Sequence, residues 1–366
     1  ANVHVIMTEN ACNFINPITF ETLTGNKCLV DTFDRNFQFN VEHVSLAKLA
    51  DIFLVAPASA DVIGKIANGI ADDMLTTTIM ACKCPKLISP AMNTNMFTNP
   101  IVQDNLKKLE HYGYEIIQPD SGYLACGDTG AGKMPSEQVL LNYILRTIAK
   151  DKDMAGIKLT VTAGPTREKL DPVRFLSNNS TGKMGYAIAK MAMLRGADVT
   201  LISGKVSLEP VPFVKMVDIV SAEDMYNAVI KSAKDADIII KAAAVADYRP
   251  SDVSDEKIKK KDGDMSIPLE RTKDIIGTLG SNKRDGLFLC GFSMETEHML
   301  DNSKVKLTKK NLDMIVANNV KVAGAGFGTD TNVVTVITKD AVEELPMMSK
   351  EEVADALLDR IMKARQ

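Results

Sequence analysis

Short apolar runs alternate with longer amphipathic stretches from one end of the chain to the other, and no other feature restricts the fold as much. In the first half the runs are residues 51–56, 86–89 and 114–117. In the second they are 158–162, 198–202, 237–240, 287–290 and 314–316. Runs this short, separated by helix-length amphipathic segments, read as βα units whose parallel strands need helices on both faces. An alternating run at 333–337 and an acidic helix from about Ser349 to the end complete the second half. The expected class is therefore α/β, with two doubly wound, Rossmann-like domains. A charged stretch at 149–153 separates a helix ending near Ile148 from the fresh strand at Lys158, which sets the domains at 1–150 and 153–366. No fixed-period repeat interrupts the pattern, so solenoids and propellers are excluded.

Charge and cysteine usage narrow the function classes. The 43 Lys and Arg against 47 Asp and Glu leave a net charge of −4, which supplies no global field for nucleic acid or an anionic membrane. A local basic cluster suits a phosphorylated small molecule instead. Six cysteines (Cys12, Cys28, Cys82, Cys84, Cys126, Cys290) are too irregularly spaced for a disulfide framework, and the four histidines lie far from the Cys82/Cys84 pair in sequence. No apolar run reaches membrane-spanning length and no leader is visible, so a cytoplasmic protein is expected. Residues 1–8 read as a strand already in progress, which would put an opening strand and its phosphate-binding turn ahead of Ala1.

Several motifs fall at strand ends, where open α/β sheets bind ligands. Asn93 in Pro90-Ala91-Met92-Asn93 follows a strand, as does Ser59 in Pro57-Ala58-Ser59-Ala60, and His43 opens a helical stretch. Ordinary Pro-Asn turns and a structural histidine are the alternatives. The spacing of Gly127 to Lys133 imitates a nucleotide phosphate loop, but Met134 cannot hold magnesium and residues 121–126 look turn-like. A Gly-rich mobile flap carrying Cys126 fits better. In the second half, Gly164-Pro165-Thr166-Arg167-Glu168 leads to Ser177-Asn178-Asn179-Ser180-Thr181-Gly182-Lys183-Met184-Gly185, which opens a helix running to about Arg195. That start is either an anion site or an ordinary cap. Residues 242–250 place Asp247 at the end of a doubly buried strand, suited to a cation or a ribose hydroxyl, and Lys257, Lys259, Lys260 and Lys261 cluster on a polar loop. The glycines at 323–328 read as a loop, not a dinucleotide fingerprint.

The ordered set of His43, P-A-S-A, P-x-M-N-x-x-M and A-C-G-D-x-G-x-G resembles the flavin-dependent cysteine decarboxylases. The set G-P-T-R-E, S-N-x-S-x-G-K-M-G, A-A-A-V-A-D-Y-R-P, E-K-I-K-K and G-F-x-x-E-T resembles the phosphopantothenate–cysteine ligases. Together they resemble the fused bacterial family of coenzyme A biosynthesis, over essentially the whole chain. Thr181 replaces a common Ser and Met294 fills an unconstrained position; neither removes a functional group.

The resemblance implies FMN near Ser59 and Met92, with Asn93 on the substrate carboxylate, His43 as base or orienter and Cys126 as proton donor. It implies CTP and Mg2+ in the second domain, with Ser180, Gly182, Lys183, Ala243, Asp247, Lys259 and Phe292 around the nucleotide and Asp247 at the metal. Asn178 would hold an acyl-cytidylate and Lys257 would offset charge as it forms. The implied substrates are 4′-phosphopantothenate, L-cysteine and CTP, and the implied assembly is a dodecamer of trimeric flavin domains and dimeric ligase domains. Two rivals stand beside this reading: a ligase whose flavin half is only an oligomerisation scaffold, and a non-catalytic regulatory relative.

Overall fold

The computed structural model describes residues 1–33, 42–124, 127–259, 265–294, 299–318, 326 and 328–365. The chain divides into two compact units, Ala1–Ala149 and Lys150–Gln366. Among the described residues no helix is long and apolar enough to cross a membrane.

The first unit holds a parallel sheet ordered β1 (Phe53–Ala58), β2 (Lys86–Pro90), β3 (Glu115–Ile116). The helices that flank or follow its strands include α1 (Glu42–Leu49), α2 (Ala60–Ala67), α3 (Met74–Ala81), α4 (Pro100–His111) and α5 (Glu137–Ile148). Side chains of β2 alternate between faces, as a pleated strand requires. Ile88 joins Ile63 and Ile66 of α2 and Leu106 and Leu109 of α4, whereas Leu87 joins Leu140 of α5. The strand expected over residues 1–8 reduces to one parallel bridge, Ile6 to Leu29. Its partner segment turns at residues 32–33, so the ladder stops after Met7 N–H donates to Leu29 O and Leu29 N–H to Val5 O. The stretch expected to be turn-like is instead half of a hairpin, β4 (Asp120–Tyr123) against β5 (Thr129–Lys133). Its small residues pair across the strands, Gly122 opposite Gly130, so composition alone suggests a turn where backbone pairing makes a ladder.

The second unit is built on eight strands: β6 (Lys158–Ala163), β7 (Asp198–Ser203), β8 (Lys215–Asp218), β9 (Ile238–Lys241), β10 (Phe288–Met294), β11 (Met314–Asn318), β12 (Val334–Thr338) and β13 (Val342–Glu344). Their spatial order is β8-β7-β6-β9-β10-β11-β12-β13. Pairing is parallel through β11 and antiparallel thereafter, because β12 and β13 are joined by a tight hairpin closed by Thr338 N–H to Ala341 O. One face is covered by α6 (Lys183–Leu194) and, from the end of the chain, Lys350–Ala364. The opposite face is covered by α7 (Ala222–Ser232), α8 (Ile275–Ser281) and α9 (Met299–Lys309); the helix Lys350–Ala364 is α10. Ile238 and Ile240 pack towards α6 and α10, Ile239 towards α7 and α8. Strand order reverses between β6 and β9, creating the crevice where such sheets hold ligands.

One ion cluster ties this unit together. Arg195, which is 5% exposed, donates to Asp153, to Asp359 at 2.7 Å and to Asp355 at 3.3 Å. Lys150 meets the same Asp355 at 2.5 Å. The cluster joins the first residues of the unit to its final helix.

Candidate active sites

In the first unit the Pro-Ala-Met-Asn segment is gripped from two sides. Ala91 N–H donates to Ala58 O and Met92 N–H to Gly132 O, each at 3.0 Å. The hairpin seats so closely that a Cβ on Gly132 (φ +134°) would stand 2.1 Å from Met92 O, and one on Gly130 would stand 2.5 Å from Thr94 Oγ1. Only glycine permits that approach. Asn93 accepts from Asn95 N–H at 2.8 Å through Oδ1 and donates through Nδ2 to Asp128 at 3.0 Å. Its side chain is thus aimed before any ligand arrives. Ser59 caps α2, accepting from Val62 N–H at 3.3 Å. Ser89 Oγ and Thr94 Oγ1 are buried and have no hydrogen-bond partner among the described residues, an arrangement that a bound polar group would complete.

The structure therefore brings together the strand-end segments bearing Ser59, Met92 and Asn93 with the Gly-rich hairpin. His43 is half-buried in the first turn of α1, which packs against α3, and it makes no hydrogen bond or ion pair among the described residues. Cys126 lies outside the described residues. The hairpin on either side closes through Leu124 N–H to Asp128 O at 2.8 Å and Gly127 N–H to Leu124 O at 2.9 Å.

In the second unit a cavity of 280 Å3 opens beside the start of α6 at the carboxyl ends of β9, β10 and β11. Ser180, Gly182, Lys183, Ala243, Asp247 and Phe292, all singled out from sequence, line it. Gly182 (φ +78°) precedes α6 and no side chain of the described residues caps the helix, so the first N–H groups of this twelve-residue helix have no capping acceptor. Gly185 lets that helix press onto the sheet, since a Cβ there would meet Ala163 Cβ at 2.6 Å. Lys183 donates to Gly328 O at 2.9 Å and Asp330 at 2.7 Å, and Lys350 to Gly326 O and Thr329 O. The two lysines fasten these positions to the rim. Lys183 in turn holds the Asp330 carboxyl below the usual range.

Asn178 does not line the cavity but shapes it. Its Nδ2 donates to Ala244 O at 2.7 Å and its Oδ1 accepts from Ser180 N–H at 3.0 Å, coupling the loop after β6 to the loop after β9. Asp247 corrects the sequence reading: β9 ends at Lys241, so Asp247 is an exposed loop residue beyond the strand. The ladder stops because Ala243 N–H turns to Thr162 Oγ1 and Ala246 N–H to Thr166 Oγ1. Lys257 and Lys259 are exposed and do not line the cavity; Lys260 and Lys261 lie outside the described residues, as do Glu295 and Thr296 and most of the glycine run at 323–328.

The Lys257 loop is nevertheless anchored. Buried Asp171 accepts from Ile258 N–H at 3.1 Å and from Arg174 at 2.6 Å, while Arg174 also donates to Ile258 O at 2.8 Å. Arg174 and the surrounding backbone N–H groups hold the Asp171 carboxyl well below the ordinary carboxylate range. Among the described residues no three His, Cys, Asp or Glu side chains gather as a metal site. Among the described residues that line the cavity, Asp247 carries the one carboxylate. Sequence reasoning missed Lys241, Asn318, Asn332 and Lys350 as lining residues. Lys241 alone had a signal, a charge closing the apolar run at 238–240.

Comparison with known proteins matches both units. The Flavoprotein family model covers residues 1–149, and the DNA/pantothenate metabolism flavoprotein C-terminal domain covers 154–364. The coenzyme A biosynthesis bifunctional protein CoaBC of Bacillus subtilis is 47% identical over 99% of this chain and 90% of its own length. That of Escherichia coli K12 is 40% identical over 99% and 90%. A cysteine/cysteine sulfinic acid decarboxylase from an unknown prokaryote is 42% identical over 95% of this chain and 99% of its own. Among solved structures, the C-terminal domain of a CoaBC protein is 44% identical, with TM-score 0.50, covering 58% of this chain and 97% of that one. The DNA/pantothenate metabolism flavoprotein from Streptococcus pneumoniae is 26% identical, with TM-score 0.50, over 57% and 99%. Identity across nearly the whole chain, with the two family models meeting at the two units, leaves one conclusion: the chain belongs to the CoaBC family of bifunctional coenzyme A biosynthesis enzymes, a flavoprotein decarboxylase unit followed by a ligase unit.

Proposed function

We propose that the second unit joins 4′-phosphopantothenate to L-cysteine with CTP, and that the first decarboxylates the product to 4′-phosphopantetheine with FMN. The observation that carries the ligase reading is the uncapped start of α6 opening into a cavity at the point where strand order reverses. A carboxylate and an amine do not condense at neutral pH until one carboxylate oxygen becomes a leaving group. The pantothenate carboxylate attacks the α-phosphorus of CTP, pyrophosphate departs, and the cysteine amine then displaces CMP from the acyl carbon. The first N–H groups of α6, that of Lys183 among them, receive phosphate oxygens, Asp247 would hold a metal that accompanies them, and Phe292 packs near the nucleotide. Lys257, and Lys259 beside it, offset the charge that builds on the phosphates. The second N–H of Asn178 binds the acyl intermediate from an amide that its two backbone bonds have already aimed.

In the first unit, bound FMN supplies a two-electron acceptor and donor. The start of α2 with Ser59, the Met92 segment and the Ser89 hydroxyl would hold its polar edges. Asn93 binds the substrate carboxylate, His43 takes or orients the proton lost in oxidation, and Cys126 returns a proton to the product. The units assemble as trimers and dimers into a dodecamer, which a native mass measurement checks.

Purified chain incubated with CTP, Mg2+, 4′-phosphopantothenate and cysteine should release pyrophosphate and carbon dioxide. Pyrophosphate without carbon dioxide and without flavin absorbance would instead support the scaffold reading of the first unit. Release of neither would support the non-catalytic one.

A further inference from the structure

Lys350 is only 6% exposed and forms part of the ligase cavity wall, together with Gly326 and Asn332. A lysine there carries two physical costs. Burial of its charge is one. The other is position: Lys350 opens α10, and the positive end of a helix dipole disfavours a cation in the first turn, where Glu351 and Glu352 suit it better. Burial, followed by the repulsion of Lys183, accordingly pushes the Lys350 ammonium below the usual lysine range. A methionine of similar length would carry neither cost, so the fold of α10 does not by itself call for an ammonium at this place.

Its hydrogen bonds show what the ammonium does. Lys350 Nζ donates to Gly326 O at 3.0 Å and to Thr329 O, and its backbone N–H donates to Asp330 O at 2.9 Å. Lys183, in the first turn of α6, reaches the same segment from the other side through Gly328 O at 2.9 Å and Asp330 at 2.7 Å. The segment continues into a short ladder, Thr331 opposite Ser349 and Asn332 opposite Met348, and Asn332 Nδ2 donates to Asn318 Oδ1 at 3.0 Å. Gly326 and residues 328–332 thus connect the start of α10 to the start of α6. We propose that Lys350 is a positioning residue of the ligase unit: by holding the carbonyls of Gly326 and Thr329 it fixes the rim segment to which Lys183 is tied, and so keeps the first turn of α6 in place for the nucleotide phosphates. The inference rests on the ligase reading and adds to it a residue that acts through Lys183 and not on the ligand itself.

The test compares the full chain with its Lys350→Met, Lys183→Met and doubly substituted variants. Pyrophosphate release is measured against CTP concentration, CTP binding with Mg2+ by calorimetry, and amide hydrogen exchange without ligand over residues 328–332 and the first turn of α6. Loss of the charge-assisted hydrogen bonds in Lys350→Met should raise KM and Kd for CTP by about tenfold while kcat changes by less than about threefold. Exchange over both segments should quicken by about tenfold or more. In the Lys183→Met background the same substitution should change Kd by less than about threefold, because the rim segment is already released at its other end. A full tenfold loss in that background overturns the proposal, showing that Lys350 meets the ligand directly. A fall in kcat with KM unchanged also overturns it, showing a packing role, and so does unaltered exchange over 328–332. If the parent neither binds CTP nor releases pyrophosphate, the ligase reading fails, and exchange alone decides: quickening of both segments in Lys350→Met supports the link from α10 to α6, and quickening of neither, or of 328–332 only, overturns it.

Discussion

Single residues divide into those whose chemistry is visible in the sequence and those whose role exists only in space. Asn93 and Ser59 are legible because a polar residue after an apolar run marks a sheet's carboxyl edge. Gly132 is legible as a glycine but not as a necessity. Its need arises from Met92 O, 2.1 Å from where a side chain would begin. Gly132→Ala should therefore unseat the hairpin and lower carbon dioxide release more than tenfold while leaving pyrophosphate release unchanged, as parallel assays of the two products would show. Lys257 and Asn178 should fail differently. Lys257→Gln removes a charge from an exposed loop and should slow acyl-cytidylate formation by tenfold to a hundredfold, with or without cysteine. Asn178→Asp places a carboxylate against Ala244 O and should chiefly harm capture of the intermediate by cysteine. Rapid-quench measurement of both partial reactions separates the two, and equal defects in both steps would refute this division of labour.

At the scale of elements, the βα rhythm located the strands of both sheets except the edge strands β8 and β13, whose residues form no apolar run. Two further features escaped it for physical reasons. The hairpin of β4 and β5 is glycine-rich and gains its structure from backbone pairing, which leaves no periodic side-chain trace. The Lys257 loop reads as mobile from composition, but one buried carboxylate organises it. Because the Asp171 pKa is depressed on folding, its contribution is fully present above the unfolded carboxylate pKa and is lost as pH falls through the folded one. The loop at 251–259 should resist proteolysis from neutral pH to below pH 4, about the unfolded value. In Asp171→Asn the same loop should be cut readily at every pH, and ligase activity should drop with it. α6 depends likewise on Gly185. Gly185→Val should push the helix start off β6 and weaken CTP binding at least tenfold, read by calorimetry.

For the molecule as a whole, the charged stretch near residue 150 suggests separable halves, and the two compact units meet at that place. A fragment of residues 150–366 should fold and retain pyrophosphate release. A fragment beginning at 154 should be less stable by about 1–2 kcal/mol: Arg195 would lose Asp153, although the carboxylates on α10 remain and Asp153 is partly solvent-screened. Denaturant titration of the two fragments measures the difference. The Arg195 cluster has a topological consequence as well. One guanidinium grips both the entry to the ligase unit and its last helix, so the two ends of that polypeptide segment are neighbours although more than two hundred residues of chain separate them. A closed loop of this kind tolerates being opened elsewhere: a circular permutant that links residue 366 to residue 150 through a short Gly-Ser bridge and begins at the exposed 251–259 loop should still fold around the same sheet.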